Sequence, residues 1–347
     1  MSTKNFWRLA PFIFTRNHGR SPSGVGKGCR PLDHSQGGLV NRRASAIYSR
    51  AKVLAGGNRR ILPTCPCPAC CRPITNWSYY EGLAPLIGPS GWTKNYPQAG
   101  GLRQSPVDIR LSECRFDEKL SSTKLEFNYH AEDCVLLSNT GNSWQLSAKP
   151  DSKSSFRAVG WLPDEYRFEQ LHAHWGSDAH NGSEHTVSGL GYAAEIHIVH
   201  SNKKYGNFME ALNHPDGLVV LGIFLDEGLH NDTLEPLIRH LGKISYRGEE
   251  TQLSSFDFKS LIPKLLDFWT YDGSLTTPPC SECATWIVFR GSISVSMPQL
   301  DAMRQLHAAP IEDAERNPQR LINNVRPTQA LNNRQVLASF RSPNQAG

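Results

Sequence analysis

The chain has 347 residues, 39% of them hydrophobic and 20% charged, a composition that supports a sizeable buried core and fits an ordinary globular protein. No apolar run approaches the ~20 residues that a membrane-spanning helix needs, and the longest, near residues 218–225, has the length of a buried strand. The net charge of +5 is uneven: residues 1–75 hold 13 Lys and Arg against one acid, Asp33, whereas residues 76–347 hold 24 basic and 31 acidic side chains, which leaves the body of the chain no basic surface for nucleic acid.

Residues 1–75 are rich in Arg, Ser and Gly. Phe6, Trp7, Leu9, Phe12, Ile13 and Phe14 cluster beside Lys4, Arg8 and Arg16, a pattern that resembles a mitochondrial transit segment. It does not resemble a secretory signal, because Arg16 and Arg20 interrupt before an apolar stretch of the required length develops. A disordered basic extension is the alternative. The segment ends in Cys65, Cys67, Cys70 and Cys71. Four close thiols can bind zinc, accept lipid or pair as disulfides, but two interleaved prolines and the lack of a matching Cys/His group favour no structural role. We therefore divide the chain into an N-terminal extension (1–75), one folded domain (76–341) and a short tail (342–347).

The domain reads as many short strands broken by Gly, Pro, Asn and Asp. Strands are expected at residues 123–129, 135–139, 143–148, 165–175, 193–200, 218–225 and 285–293. Helical signals are few: 207–213, 231–241 with Asn231 or Asp232 as cap, and 297–307 with Ser296 as cap and Pro298 in the first turn. No repeat or linker divides the stretch. The expected fold is a single mostly β (α+β) domain with short peripheral helices.

Two of these strands carry the informative residues. In Gln170-Leu-His-Ala-His-Trp175, alternation turns His172 and His174 to the same face. His197 lies in the strand at 193–200. If the two strands pair, three imidazoles converge, and three protein ligands around zinc leave a fourth position open, as catalytic sites do. His-x-His alone is a weak signal, and two hydrogen-bonded strand histidines are the plainer alternative. Gln170 before His172 and Glu195 before His197 strengthen the metal reading, since each lies two residues back on the same face and can fix its ring.

Five motifs occur in register. These are Gln104-Ser-Pro-Val-Asp-Ile109, Gln170-Leu-His-Ala-His-Trp-Gly176, Gly182-Ser-Glu-His-Thr-Val187, Tyr192-Ala-Ala-Glu-Ile-His197 and Tyr271-Asp-Gly-Ser-Leu-Thr-Thr-Pro-Pro279. From Trp77 to Phe340 the chain resembles the α-class carbonic anhydrases. The resemblance implies one domain around a large, twisted, mainly antiparallel sheet of about ten strands. It implies reversible hydration of CO2 to bicarbonate and a proton by hydroxide on one Zn2+ held by His172, His174 and His197. Neutral ligands leave the ion's charge available to bring the water pKa near ~7, a value taken from the carbonic anhydrases themselves.

By the same resemblance, Thr276 accepts the hydroxide's proton and passes a hydrogen bond to Glu184, aiming a lone pair at carbon. Val199, Val220, Leu275 and Trp286 form the apolar CO2 patch, with Thr277 beside it. Asn324 orients the second ligand ring through its carbonyl, and Tyr79, Thr140, Gln145 and Thr277 hold the water network. Sulfonamide-type inhibitors are expected ligands, and the protein is expected to be a monomer. Two departures stand out. Ala284 replaces a valine and widens the patch slightly. Asn142 occupies the position where fast relatives place a proton-shuttling histidine; an amide does not titrate near neutrality, so shuttling should be slow. His185 and His200 are expected in structural hydrogen bonds, while His180 has no assigned place.

The domain's cysteines are Cys114, Cys134, Cys280 and Cys283. Secreted relatives bridge the Cys280 position to one that is Ala99 here, so that bridge cannot form. An intracellular protein, mitochondrial or cytoplasmic, is expected. Cys280-Ser-Glu-Cys283 has thioredoxin spacing but enters a strand rather than a helix. Two other functions compete with the hydratase: a silent family member acting as a binding module, which the intact ligand set disfavours, and a zinc esterase, which the narrow apolar patch disfavours.

Overall fold

A computed structural model of the protein describes residues 77–83 and 85–341. The basic extension with its five cysteines, and the tail, lie outside the described residues. Those described fall in one compact unit, Cys67–Gly347. Its centre is a sheet of 13 strands, ten of them on one continuous path: Glu250–Gln252, Cys134–Asn139, Trp144–Ala148, Tyr166–Trp175, Ala194–Asn202, Leu218–Glu227, Ala284–Phe289, Phe268–Gly273, Leu337–Ala338 and Arg115–Phe116. Most neighbours are antiparallel; Leu218–Glu227 runs parallel to Ala284–Phe289 and to Ile293–Val295, and Leu337–Ala338 runs parallel to Arg115–Phe116. Among the described residues no helix is long and apolar enough to cross a membrane.

The central strands are apolar because both faces are covered. All nine residues of Ala194–Asn202 are buried, as are the first eight of Leu218–Glu227. Alternation then sorts side chains between two layers. Val219, Leu221, Ile223 and Leu225 join the main core, while Leu218, Val220 and Phe224 join a second cluster on the opposite face. The same division runs through the two histidine strands. Phe168, Leu171, Ala173 and Trp175, with Ala194, Ile196 and Ile198, enter the main core. That leaves His172, His174, Glu195 and His197 on the other face. A thick apolar layer thus backs the polar one and holds it still.

The expected strands are present with ends moved by one or two residues. The one at 285–293 divides into Ala284–Phe289 and Ile293–Val295, with Gly291 between them. Ser155–Val159 and Phe268–Gly273 also pair in the sheet, although they are too short and too mixed to stand out in sequence. The first expected helix shrinks to Phe208–Ala211, capped by Asn207, whose side chain accepts from Glu210 N. The second begins at Glu235, not near 231: Asn231 Oδ1 accepts from Thr233 N and makes a turn instead of a cap. The third, Met297–Arg304, starts where expected, with Gln299 Oε1 accepting from Ser296 N at 3.2 Å. It ends early because His307 pairs as a bridge with Arg320.

Candidate metal centre

Strand register brings the histidines together. Tyr166–Trp175 and Ala194–Asn202 run antiparallel with His172 directly opposite His197 and His174 opposite Glu195. One nitrogen of each of the three imidazoles lies within 4.8 Å of the other two. His174 and His197 are fully buried and His172 is half-buried, so the cluster opens to solvent on one side.

Each ring uses its outer nitrogen in a hydrogen bond. His172 Nδ1 meets Gln170 Oε1 at 2.9 Å, His174 Nδ1 meets the Asn324 carbonyl oxygen at 2.7 Å, and His197 Nε2 meets Glu195 Oε1 at 2.8 Å. The acceptors fix the tautomers, because each outer nitrogen must carry the proton. The inner nitrogens are then bare lone pairs: Nε2 of His172 and His174, and Nδ1 of His197. His174 Nε2 and His197 Nδ1 lie 3.1 Å apart. The edge of a zinc tetrahedron with bonds of 2.0–2.1 Å is about 3.3 Å. Burial first, and then the neighbouring imidazoles, hold His172 well below the usual histidine range and His174 at about 3. Burial likewise lowers His197, against the pull of Glu195. Neutral, inward-facing and confined, the three nitrogens fit a divalent cation with one open position.

A second grouping, His185, Glu195 and His197, is a hydrogen-bonded relay. Glu195 Oε1 meets both His185 Nδ1, at 2.7 Å, and His197 Nε2, at 2.8 Å, while Oε2 accepts from the amides of Glu184 and His185. His185 Nε2 meets Tyr271 Oη at 2.6 Å, and the Tyr271 hydroxyl donates to Ser105 Oγ. Burial alone would raise the Glu195 carboxyl, but His185 and His197 hold it well below the usual range. Gly222 makes room for this carboxylate, since a Cβ there would sit 3.0 Å from Glu195 Oε1.

Glu184 is buried with its Oε1 accepting from Arg326 N at 2.8 Å and its Oε2 3.3 Å from His174 Nε2. Burial pushes its carboxyl up, while the Thr276 hydroxyl and the Arg326 amide pull it down. Val199, Val220, Ala284 and Trp286 are buried in one cluster with Leu275 packed against it, and the Trp286 ring centre is 4.7 Å from that of His197. Val220 is the register partner of both Val199 and Trp286.

The other sequence-selected residues have mixed placements. Tyr79 is buried, its ring 6.3 Å from that of His174, and Gln145 lies in register with His172. The Thr140 hydroxyl donates to the Ser143 carbonyl and accepts from Ser143 N, at 2.9 and 3.0 Å, so it braces the turn that carries Asn142. Gln145 Nε2 donates to Ser147 Oγ, and Thr277 O accepts from Cys280 N. His200 meets Tyr129 Oη at 2.8 Å and Val219 O at 3.3 Å, and His180 lies in an exposed loop. Cys280 is buried in the cluster that contains Ala99, without a partner sulfur there.

Sequence reasoning missed Arg326. It is buried, and its guanidinium donates to Gln104 Oε1, Ser105 O and Ala99 O. Nothing local marks this arginine, because every partner lies more than 200 residues away except Glu184, at 142. Also unforeseen is the Asn324 side chain. Its Nδ2 donates to Asn142 O at 2.8 Å and its Oδ1 accepts from Trp175 N, tying the Asn142 turn to the strand of His174.

The sequence pattern of the eukaryotic-type carbonic anhydrases matches residues 87–340. The chain belongs to that family. It is similar to human carbonic anhydrase 3, at 40% identity over 261 residues, which is 75% of this chain and 98% of the relative. A carbonic anhydrase is a zinc-dependent lyase that interconverts CO2 and bicarbonate, and both the three-histidine cage and the mostly β fold described above accord with that membership.

Proposed function

We propose that this carbonic anhydrase binds one Zn2+ through His172 Nε2, His174 Nε2 and His197 Nδ1, and that Asn142 makes proton export its slow step. The convergence of three bare nitrogens, each backed by an acceptor on its outer side, carries the reading. Bound zinc supplies Lewis acidity that makes water nucleophilic near neutral pH.

The remaining roles belong to the chain. Gln170, Asn324 and Glu195 hold the rings in their binding tautomers. A cation in the cage would lie against Glu184 and favour its ionised form, so that the carboxylate accepts from Thr276 and the Thr276 oxygen faces the reacting water as an acceptor. Val199, Val220, Leu275 and Trp286 offer CO2 a dry wall, with the small Ala284 leaving extra space. Tyr79, Gln145 and Thr277 line the path that solvent takes. Asn142 holds no titratable proton, so protons must pass directly to dissolved buffer. Residues 1–75 are proposed to direct the protein to the mitochondrion, with a cytosolic protein as the alternative.

Stopped-flow CO2 hydration, with and without a chelator, tests the core of the reading. Chelation and His174→Ala should each remove both bound zinc and activity. Activity that survives either treatment would refute the assignment.

A further inference from the structure

A groove of about 330 Å3 opens beside the Asn142 turn; Arg247, Asp313, Arg316 and Asn317 line it together with Gly141, Asn142 and an apolar part that includes Trp77 and Leu86. Arg247 is held there by its backbone. Arg247 N donates to Ala309 O at 3.0 Å, and Gly248 N donates to Asn139 O at 2.8 Å, at the base of the turn. Its side chain lies across Gly141, where φ is +83° and a Cβ would collide with the arginine stem. Both arginines are exposed, and neither forms an ion pair among the described residues. Arg103, Arg110, Arg167 and Arg239, by contrast, each have a carboxylate partner. Asp313 is the one acid in the lining, so the groove carries one net positive charge beside Asn142.

We infer that this groove binds a small oxyanion that titrates near neutrality, of the phosphate class, and that the bound dianion takes the proton that Asn142 cannot. The inference rests on the hydratase reading above. The chemistry balances as CO2 + H2O + HPO4(2−) → HCO3(−) + H2PO4(−): the proton passes through solvent from the reacting water to the dianion, with no redox change. Guanidiniums suit a phosphate, each offering several donors in a planar fork. Discharge is favoured as well, because the monoanion formed is held less tightly than the dianion that arrived. A neutral acceptor such as imidazole gains nothing from the two arginines.

The test measures hydration by the zinc-loaded enzyme against increasing phosphate, and separately against imidazole, at one pH and low ionic strength. Arg247→Gln and Arg316→Gln should each raise the half-saturating phosphate concentration roughly two- to fivefold, the range of exposed ion pairs, and Asp313→Asn should lower it. The imidazole dependence should move less than twofold in the same variants, and added salt should shrink the phosphate effect. Equal shifts for both buffers, or none, would overturn the inference. Phosphorus NMR titration of the same proteins reads binding without turnover. If the wild type proved inactive on CO2, the hydratase reading would fall, while loss of phosphate binding on Arg247→Gln would still uphold the site. Phosphate binding unchanged by that substitution, or absent from the wild type, would dismiss it.

Discussion

At the scale of single residues, the candidate site separates into three imidazoles proposed to hold the metal, the groups that hydrogen-bond to them, and Asn142, the proposed point of slow proton export. Glu195 supports His197 through a single oxygen that it also shares with His185. Glu195→Gln keeps the shape but removes the charge, and it should weaken zinc affinity by about 10–100-fold; competition with a chromogenic chelator measures this directly. Asn142→His should act on the other side of the reaction. Turnover in dilute buffer that carries no protons well should rise roughly ten- to hundredfold, at or below the usual gain from a placed acid–base group, while added imidazole should erase the difference. An unchanged rate would show that proton export does not limit this enzyme. The convergence of the three imidazoles and two of their three hydrogen-bond partners was legible in sequence, because a strand places residues two apart on one face. Asn324 was reachable only through family likeness, since 150 residues separate it from His174. Thr140 was assigned to solvent organisation by the same likeness, yet its hydroxyl is engaged in its own turn.

At the scale of elements, long apolar strands announced themselves and short mixed ones did not. The run near 218–225 is uniformly buried, so hydrophobicity alone marks it. Phe268–Gly273 mixes aromatics with Thr and Asp because it lies near the sheet margin, next to the two-residue strand Leu337–Ala338. The helix start at Glu235 escaped prediction because Asn231 satisfies a local turn before any helix can use it. Asp133, just before Cys134–Asn139, grips the segment just before Ser155–Val159 and offers a clean test of what pins strands together. Asp133 Oδ2 accepts from Ser152 Oγ, Lys153 N, Ser154 N and Ser154 Oγ at 2.8–3.0 Å, and Oδ1 meets Lys149 Nζ at 2.9 Å. Burial on its own would raise this carboxyl, but Lys149 and the Ser154 and Lys153 donors hold it far below the usual range. It is therefore ionised in the native state well below the ordinary aspartate pKa near 3.9. Its stabilisation is complete above about pH 4 and fades as pH falls from there toward the depressed native value. Asp133→Asn should cost about 1–3 kcal/mol in urea unfolding at pH 7, and the gap from wild type should narrow below about pH 4.

At the scale of the whole molecule, the candidate metal centre is assembled from distant parts of the chain. His172, His174 and His197 lie within 26 residues of one another, yet the groups that complete the site are Asn324 and Arg326. Arg326 in turn reaches back to Ala99, 227 positions earlier. Such long-range closure is expected to slow folding relative to a protein built from local contacts.

That arrangement has a consequence during translation. The three imidazoles emerge from the ribosome long before the carbonyl that steadies the middle one is synthesised. A nascent polypeptide arrested at residue 323 should expose a loose, leaky trap for zinc, losing the ion to a mild chelator within the time that a released full-length chain retains it. Firm retention of the ion would then report that Asn324 has been released and has docked on His174.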